Sequence, residues 1–225
     1  MYDRIPSREF PEDNIKYSIC CEPLTEVKDF VYEPYYYNLK LKGSQNKCFM
    51  RKGAYEKLKL AESYLPEGYR FKIYDAWRPF EVQLALYNDY REKLCEENPK
   101  LSSDELDCLV KQFVSLPLMD EFAGPVHATG GAVDLTVIDK HGNEIDMGTY
   151  FDYFGDMANT DYFERHNLND EIRNNRRMLY GAMTKAGFTN LPTEWWHYDY
   201  GNKFYAYYTG EAAIYKCSFN QKTEE

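Results

Sequence analysis

No apolar run in this chain approaches the roughly 18 residues that a membrane-spanning helix requires. Basic residues are in deficit: 27 Lys and Arg stand against 37 Asp and Glu, for a net charge of −10. With a pI near 5.0, nucleic acid and anionic membrane surfaces are poor partners, because like charges repel. The six cysteines form no C-x-x-C pair, and the adjacent Cys20-Cys21 suits neither a zinc finger nor a disulfide framework. They read as reduced thiols in a reducing compartment. The segment Met1-Tyr-Asp-Arg-Ile-Pro6 carries no signal-peptide apolar core, so the expected location is the cytoplasm. Internal repeats and low-complexity tracts are absent as well. Histidine is scarce, at four residues, and that scarcity narrows the chemistry.

What is present is a chain of 225 residues, 17% aromatic and led by 22 tyrosines. That length suits one domain with its own core, with residues 1–50 as an irregular N-terminal extension. Apolar spacing predicts a helix over Ala54–Leu65, ended by Pro66-Glu-Gly68, then a strand at Phe71–Ala76. A second helix follows Pro79, with Val82, Leu86, Tyr90 and Leu94 inward. A third starts at Ser102, where Ser102 and Glu105 have capping-box spacing, and buries Leu106, Leu109, Val110 and Phe113. A fourth runs from Asp170 to about Ala186, with Gly187 as its stop. Phe30–Tyr37 reads as a strand, and Trp195–Tyr200 with Lys203–Tyr208 as a closing hairpin. The sum is an α+β fold with helices packed on a mainly antiparallel sheet.

The organising stretch is Pro125-Val-His127-Ala-Thr-Gly130-Gly131-Ala-Val-Asp134. Two apolar-flanked arms around Gly-Gly read as a hairpin, which would place His127 opposite Asp134. An imidazole and a carboxylate would then converge, as two ligands of one zinc ion must. The other reading is a buried, hydrogen-bonded His-Asp pair. His141 and His166 lie in polar, turn-like runs and read as surface. His197, in Glu194-Trp195-Trp196-His197, is the remaining third ligand, with Glu194 placed to take a proton from water. On a regular strand residues 194 and 197 would face opposite sides, so Glu194 is expected before the strand or at a bulge.

His127-x-x-Gly130-x-Ala132-x-Asp134 followed by Glu194-Trp-Trp-His197, with Tyr74-Asp-Ala-Trp-Arg78-Pro79 upstream, resembles the zinc D-alanyl-D-alanine dipeptidases of the VanX type. The three motifs occur in the family's order and span about residues 70–200. The resemblance implies one Zn2+ per chain on His127, Asp134 and His197, with Glu194 as general base. It implies that Arg78 steadies the developing oxyanion and that Asp152, after Met147-Gly148, anchors the substrate ammonium. It also implies an N-terminal pocket tyrosine near Asn38-Leu39; Tyr32 is the candidate, with Tyr35, Tyr36 and Tyr37 competing. The family's serine before the first histidine is missing, since Pro125 and Val126 stand there. Thr129 or backbone N–H groups are the substitutes for holding the substrate carboxylate.

The implied activity is zinc-dependent hydrolysis of D-Ala-D-Ala or a close D,D-dipeptide, in cell-wall turnover or glycopeptide resistance. A D,D-carboxypeptidase or murein endopeptidase with the same zinc chemistry is the alternative within enzymes. A non-catalytic, zinc-stabilised binding domain is the alternative outside them; it predicts a missing base or ligand, and neither is missing here.

Overall fold

Strand Ala132–Ile138 is buried at every position, so a sheet must flank it on both edges and packed layers must cover both faces. The computed structural model describes residues 2–7, 15–111 and 114–219. In chain order these form β1 (Leu24–Glu26), β2 (Val31–Tyr32), α1 (Tyr35–Asn38), β3 (Phe49–Arg51), α2 (Lys52–Glu62), β4 (Arg70–Asp75), α3 (Phe80–Glu97) and α4 (Ser103–Val110). A 3₁₀ turn at Val126–Thr129 leads into β5 (Ala132–Ile138). A second 3₁₀ turn (Asp156–Ala158), α5 (Tyr162–Arg165), α6 (Asp170–Lys185), β6 (Thr189–Asn190), β7 (His197–Asp199) and α7 (Lys203–Thr209) follow.

The main sheet has five strands in the order β2-β4-β5-β7-β6, and β1 pairs with β3 in a separate ribbon. Only β2 and β4 run parallel; the other pairs in the main sheet are antiparallel. This is the expected α+β architecture. On one face, Phe71 and Ile73 of β4 and Val133, Leu135 and Val137 of β5 join Leu58 of α2 and Leu179 and Met183 of α6 in the core. Alternation then sends Asp134 to the opposite face. No helix among the described residues is long and apolar enough to cross a membrane.

The capping box at Ser102 forms: Ser102 Oγ accepts from Glu105 N and Glu105 Oε2 accepts from Ser102 N at 2.8 Å. Phe113, expected on that helix's buried face, lies outside the described residues. Three expectations are corrected. Phe30–Tyr37 is not one strand, because Pro34 supplies no N–H for a ladder and the chain turns there from β2 into α1. No closing hairpin forms at 195–208. Asn202 Oδ1 accepts from the N–H groups of Phe204 and Tyr205, both at 3.1 Å, and starts helix α7 instead; β7 pairs with β6. The third correction concerns the hairpin at Gly130-Gly131.

Candidate metal centre and its cavity

The site is written in strand register. Asp134 of β5 pairs with Asp75 of β4 on one side and with His197 of β7 on the other. Directly opposed residues share a face, so three polar side chains stand in a row across the sheet. Asp75 reaches that row through an irregularity between Ile73 and Asp75. Without it, strict alternation from Phe71 and Ile73 would aim Asp75 into the apolar core; a bulge here re-aims one side chain.

His127 does not face Asp134 across a hairpin. Residues 126–129 wind as a 3₁₀ turn, and Gly130 caps it in the left-handed region at φ +74°. Gly131 serves a different need: a Cβ there would sit 2.3 Å from the Tyr200 carbonyl oxygen. The paired glycines therefore mark a helical cap and a close backbone approach. The turn lowers His127 onto the row from above.

His127 Nε2 lies 3.2 Å from His197 Nδ1 and 3.3 Å from Asp134 Oδ2, and His197 Nδ1 lies 3.0 Å from Asp134 Oδ1. Ligand atoms on a tetrahedral zinc with bonds of about 2.0–2.1 Å sit about 3.3–3.4 Å apart. The triangle fits zinc with adjustments of a few tenths of an ångström. Each imidazole has its other nitrogen held, as a metal-binding histidine requires. His127 Nδ1 meets the Ala76 carbonyl at 2.7 Å; His197 Nε2 meets Asp199 Oδ2 at 3.1 Å. Asn202 Nδ2 donates to Asp199 Oδ1 at 2.6 Å, fixing that carboxylate. Burial opposes the charge on Asp134, but His127 and His197 hold its carboxyl below the usual range. Burial likewise pulls His197 down, yet Asp199 and Asp134 raise it well above an ordinary histidine. Such a pocket of negative potential welcomes a cation. His127, Asp134 and His197 are the zinc site, and all three are buried.

Glu194 lies before β7 in a turn closed by Glu194 N–H to Leu191 O and His197 N–H to Glu194 O. Asn190 Nδ2 clamps that turn through the carbonyls of Glu194 and His197, at 3.1 and 2.9 Å. Glu194 Oε2 stands 3.8 Å from His197 Nδ1. Burial lifts its carboxyl to about 8, against the pull of His197. Arg78, at the β4–α3 junction, has every arm engaged. Nε donates to Asp75 at 2.7 Å, Nη1 to Gln83 at 2.9 Å, and Nη2 to Tyr36 and Asp134, both at 3.3 Å. Its guanidinium also lies 4.9 Å from the centre of the Tyr36 ring. Asp152, at φ +60°, accepts from the Tyr36 hydroxyl at 3.0 Å. Burial raises it to about 7, partly offset by Arg78.

These groups line one cavity of about 350 Å³, the lower end of small-ligand sites. His127, Asp134, His197, Glu194, Arg78 and Asp152 all border it. Thr129 and Tyr32 do not. The Thr129 hydroxyl is spent inside its own turn, donating to Val126 O at 2.5 Å and accepting from Gly131 N–H at 3.0 Å. Tyr32 sits on edge strand β2 and borders a separate recess behind Tyr36 and Asp75. Tyr35, Tyr36 and Leu39 are what the N-terminal region gives the cavity. Sequence reasoning also missed Asp75, Gln83 and Asp199. Of these, Asp199 had a usable signal: two residues past His197 on a strand, it must share that histidine's face. His141 and His166 are exposed, as expected.

Two imidazoles, one carboxylate and a nearby acid at the floor of a small cavity define a mononuclear zinc hydrolase. Residues 37–213 match Peptidase M15, D-ala-D-ala dipeptidase, and the chain belongs to that family. The D-alanyl-D-alanine dipeptidase of Escherichia coli (strain K12) is 30% identical over 156 residues, 69% of this chain and 68% of that protein. Its counterpart in Synechocystis sp. is 25% identical over 176 residues, covering 70% and 71%. Among solved structures, VanYB in complex with D-Alanine-D-Alanine aligns with a TM-score of 0.46 at 15% identity, covering 75% of this chain and 82% of that one.

Proposed function

We propose that the chain hydrolyses D-Ala-D-Ala, or a close D,D-dipeptide, to free amino acids. The observation that carries this is the joining in one small cavity of a zinc triangle, Glu194, Arg78 and Asp152, within a chain of the D-ala-D-ala dipeptidase family. Zinc, when bound, supplies Lewis acidity and a water acidic enough to attack at neutral pH. Glu194 accepts the proton of the attacking water and returns it to the leaving amine, a task suited to a carboxyl raised toward the working pH. Arg78, locked by four partners, presents fixed positive charge where the carbonyl oxygen becomes negative. Asp152 takes the substrate ammonium. The carboxylate end falls against Pro125 and Val126, and neither side chain offers a donor. We infer further that the chain is one zinc peptidase domain, with Tyr35, Tyr36 and Leu39 as the N-terminal contribution to the pocket.

The test is release of free D-alanine from D-Ala-D-Ala by the zinc-loaded protein, with L-Ala-L-Ala, a stem pentapeptide and a chelated sample alongside. Turnover of the D,D-dipeptide that chelation abolishes is the expected result. Faster release from the pentapeptide would reassign the enzyme as a carboxypeptidase. No turnover on any of them with zinc bound would overturn the D-Ala-D-Ala assignment and point to another D,D-dipeptide or a longer murein fragment.

A further inference from the structure

Arg176 of α6 is only 2% exposed, and the chemistry above makes no use of it. Among the described residues no carboxylate forms an ion pair with it. All three hydrogen-bonding arms end on backbone carbonyls: Nε on Met147 at 2.8 Å, Nη2 on Met157 at 2.7 Å and Nη1 on Asn159 at 2.7 Å. Its guanidinium is also 4.7 Å from the centre of the Phe163 ring. Burial pulls its pKa down to about 9, so it stays charged at neutral pH. Burying a cation without an anion is costly. Charge-assisted hydrogen bonds to three carbonyls offset that cost, and they fix the backbone that supplies them.

The three carbonyls belong to the two stems of one loop. Met147 precedes its arc, while Met157 and Asn159 follow it. The arc between carries Asp152 and Phe154, both bordering the cavity. Asp152 itself holds a left-handed backbone, at φ +60°, a conformation that aspartate tolerates better than most residues. Two lesser ties join the same loop to the rest: Trp195 Nε1 donates to Thr149 Oγ1 at 2.7 Å, and Asn175 Nδ2 to Asp146 O at 2.9 Å. The zinc ligands stand on β5, β7 and the 3₁₀ turn, outside the clamped loop.

We propose that Arg176 is a positioning residue for substrate binding, pinning both stems of the 147–159 loop so that Asp152 is held at the amine-binding end of the cavity. This rests on the reading of Asp152 as the ammonium partner. Arg176 acts through Asp152 and touches neither substrate nor metal.

The experiment is steady-state kinetics of the zinc-loaded full chain on D-Ala-D-Ala, as a double-mutant cycle of Arg176→Met and Asp152→Asn. Arg176→Met should raise KM about tenfold while kcat moves less than about threefold, because misplacement of one binding group by a fraction of an ångström costs on that scale. Zinc content should not change, and Arg176→Lys should recover part of the loss. In the Asp152→Asn background the added effect of Arg176→Met on KM should shrink below about twofold, since coupled residues do not add. A purely structural role predicts the same tenfold penalty in both backgrounds, and that result would overturn the proposal. Should Arg176→Met fail to fold, Thr149→Val cuts a weaker tie on the same loop and carries the same cycle. An Asp152→Asn enzyme with wild-type KM would instead refute the ammonium reading, and this inference with it.

Discussion

Asp199→Asn isolates the partner of one zinc ligand with little change in volume. Asp199 is fully buried, its Oδ2 lies 3.1 Å from His197 Nε2, and its Oδ1 is fixed by Asn202 at 2.6 Å. That carboxylate sets which imidazole nitrogen keeps its proton and strengthens the other as a ligand. Loss of such a partner typically weakens metal binding about 10–100-fold, or about 1.4–2.8 kcal/mol. Two features place this case toward the upper end. No solvent reaches Asp199 to substitute for it, and an amide turned the wrong way would offer N–H to N–H. The assay is competition for zinc against a chromophoric chelator at fixed pH, with circular-dichroism melts of the metal-free proteins as the folding control. Asn202→Ala, which frees the carboxylate to turn and also removes the N-cap of α7, should cost less zinc affinity than Asp199→Asn. Zinc affinity within about twofold of wild type in a folded Asp199→Asn protein would refute the claim that this contact orients His197.

Glu194→Gln should keep zinc yet lower kcat about 10²–10⁴-fold, the usual worth of a general base; unchanged turnover in the zinc-loaded variant would sink the assignment. Arg78→Lys should lower kcat about 10²–10³-fold with zinc retained, because an ammonium cannot satisfy Asp75, Gln83, Tyr36 and Asp134 together. KM for the dipeptide should fall as pH rises through about 7, where Asp152, raised by burial, gains its charge. In Asp152→Asn that slope should be absent, and a wild-type slope persisting there would assign it to another group.

The zinc ligands were legible in the sequence for a partly mistaken reason. Scarcity of histidine and the spacing around His197 led to the right residues, while the supposed hairpin led to the wrong geometry. Gly-Gly is compatible with a turn, a helix cap or a tight approach, and only Leu24, Arg51 and Tyr200, brought close by the fold, decide among them. The helices starting at Ser102 and ending at Gly187 were readable because caps are local chemistry. Helix α7 was not, since the run Phe204-Tyr-Ala-Tyr-Tyr208 has aromatic, strand-like composition and the deciding Asn202 cap is one residue. Asp75 was hidden for another reason: which face it takes depends on an irregularity in β4 that sequence alternation cannot foresee. Tyr36 was among four tyrosines in one stretch, and the turn at Pro34 picks it out.

The row Asp75–Asp134–His197 has a consequence for the life of the newly made chain. Two zinc ligands lie on neighbouring strands whose members are 63 residues apart in sequence, and the third waits in a turn that needs β4 already in place to hold its ring. A chain not yet complete to β7 offers the ion two ligands at most, and a one-residue slip of β7 would carry His197 to the opposite face. Zinc therefore rewards only the finished, correctly registered sheet. Metal binding and a correctly registered sheet are thus coupled in free energy, and a misregistered chain, lacking the third ligand, gains less from the ion.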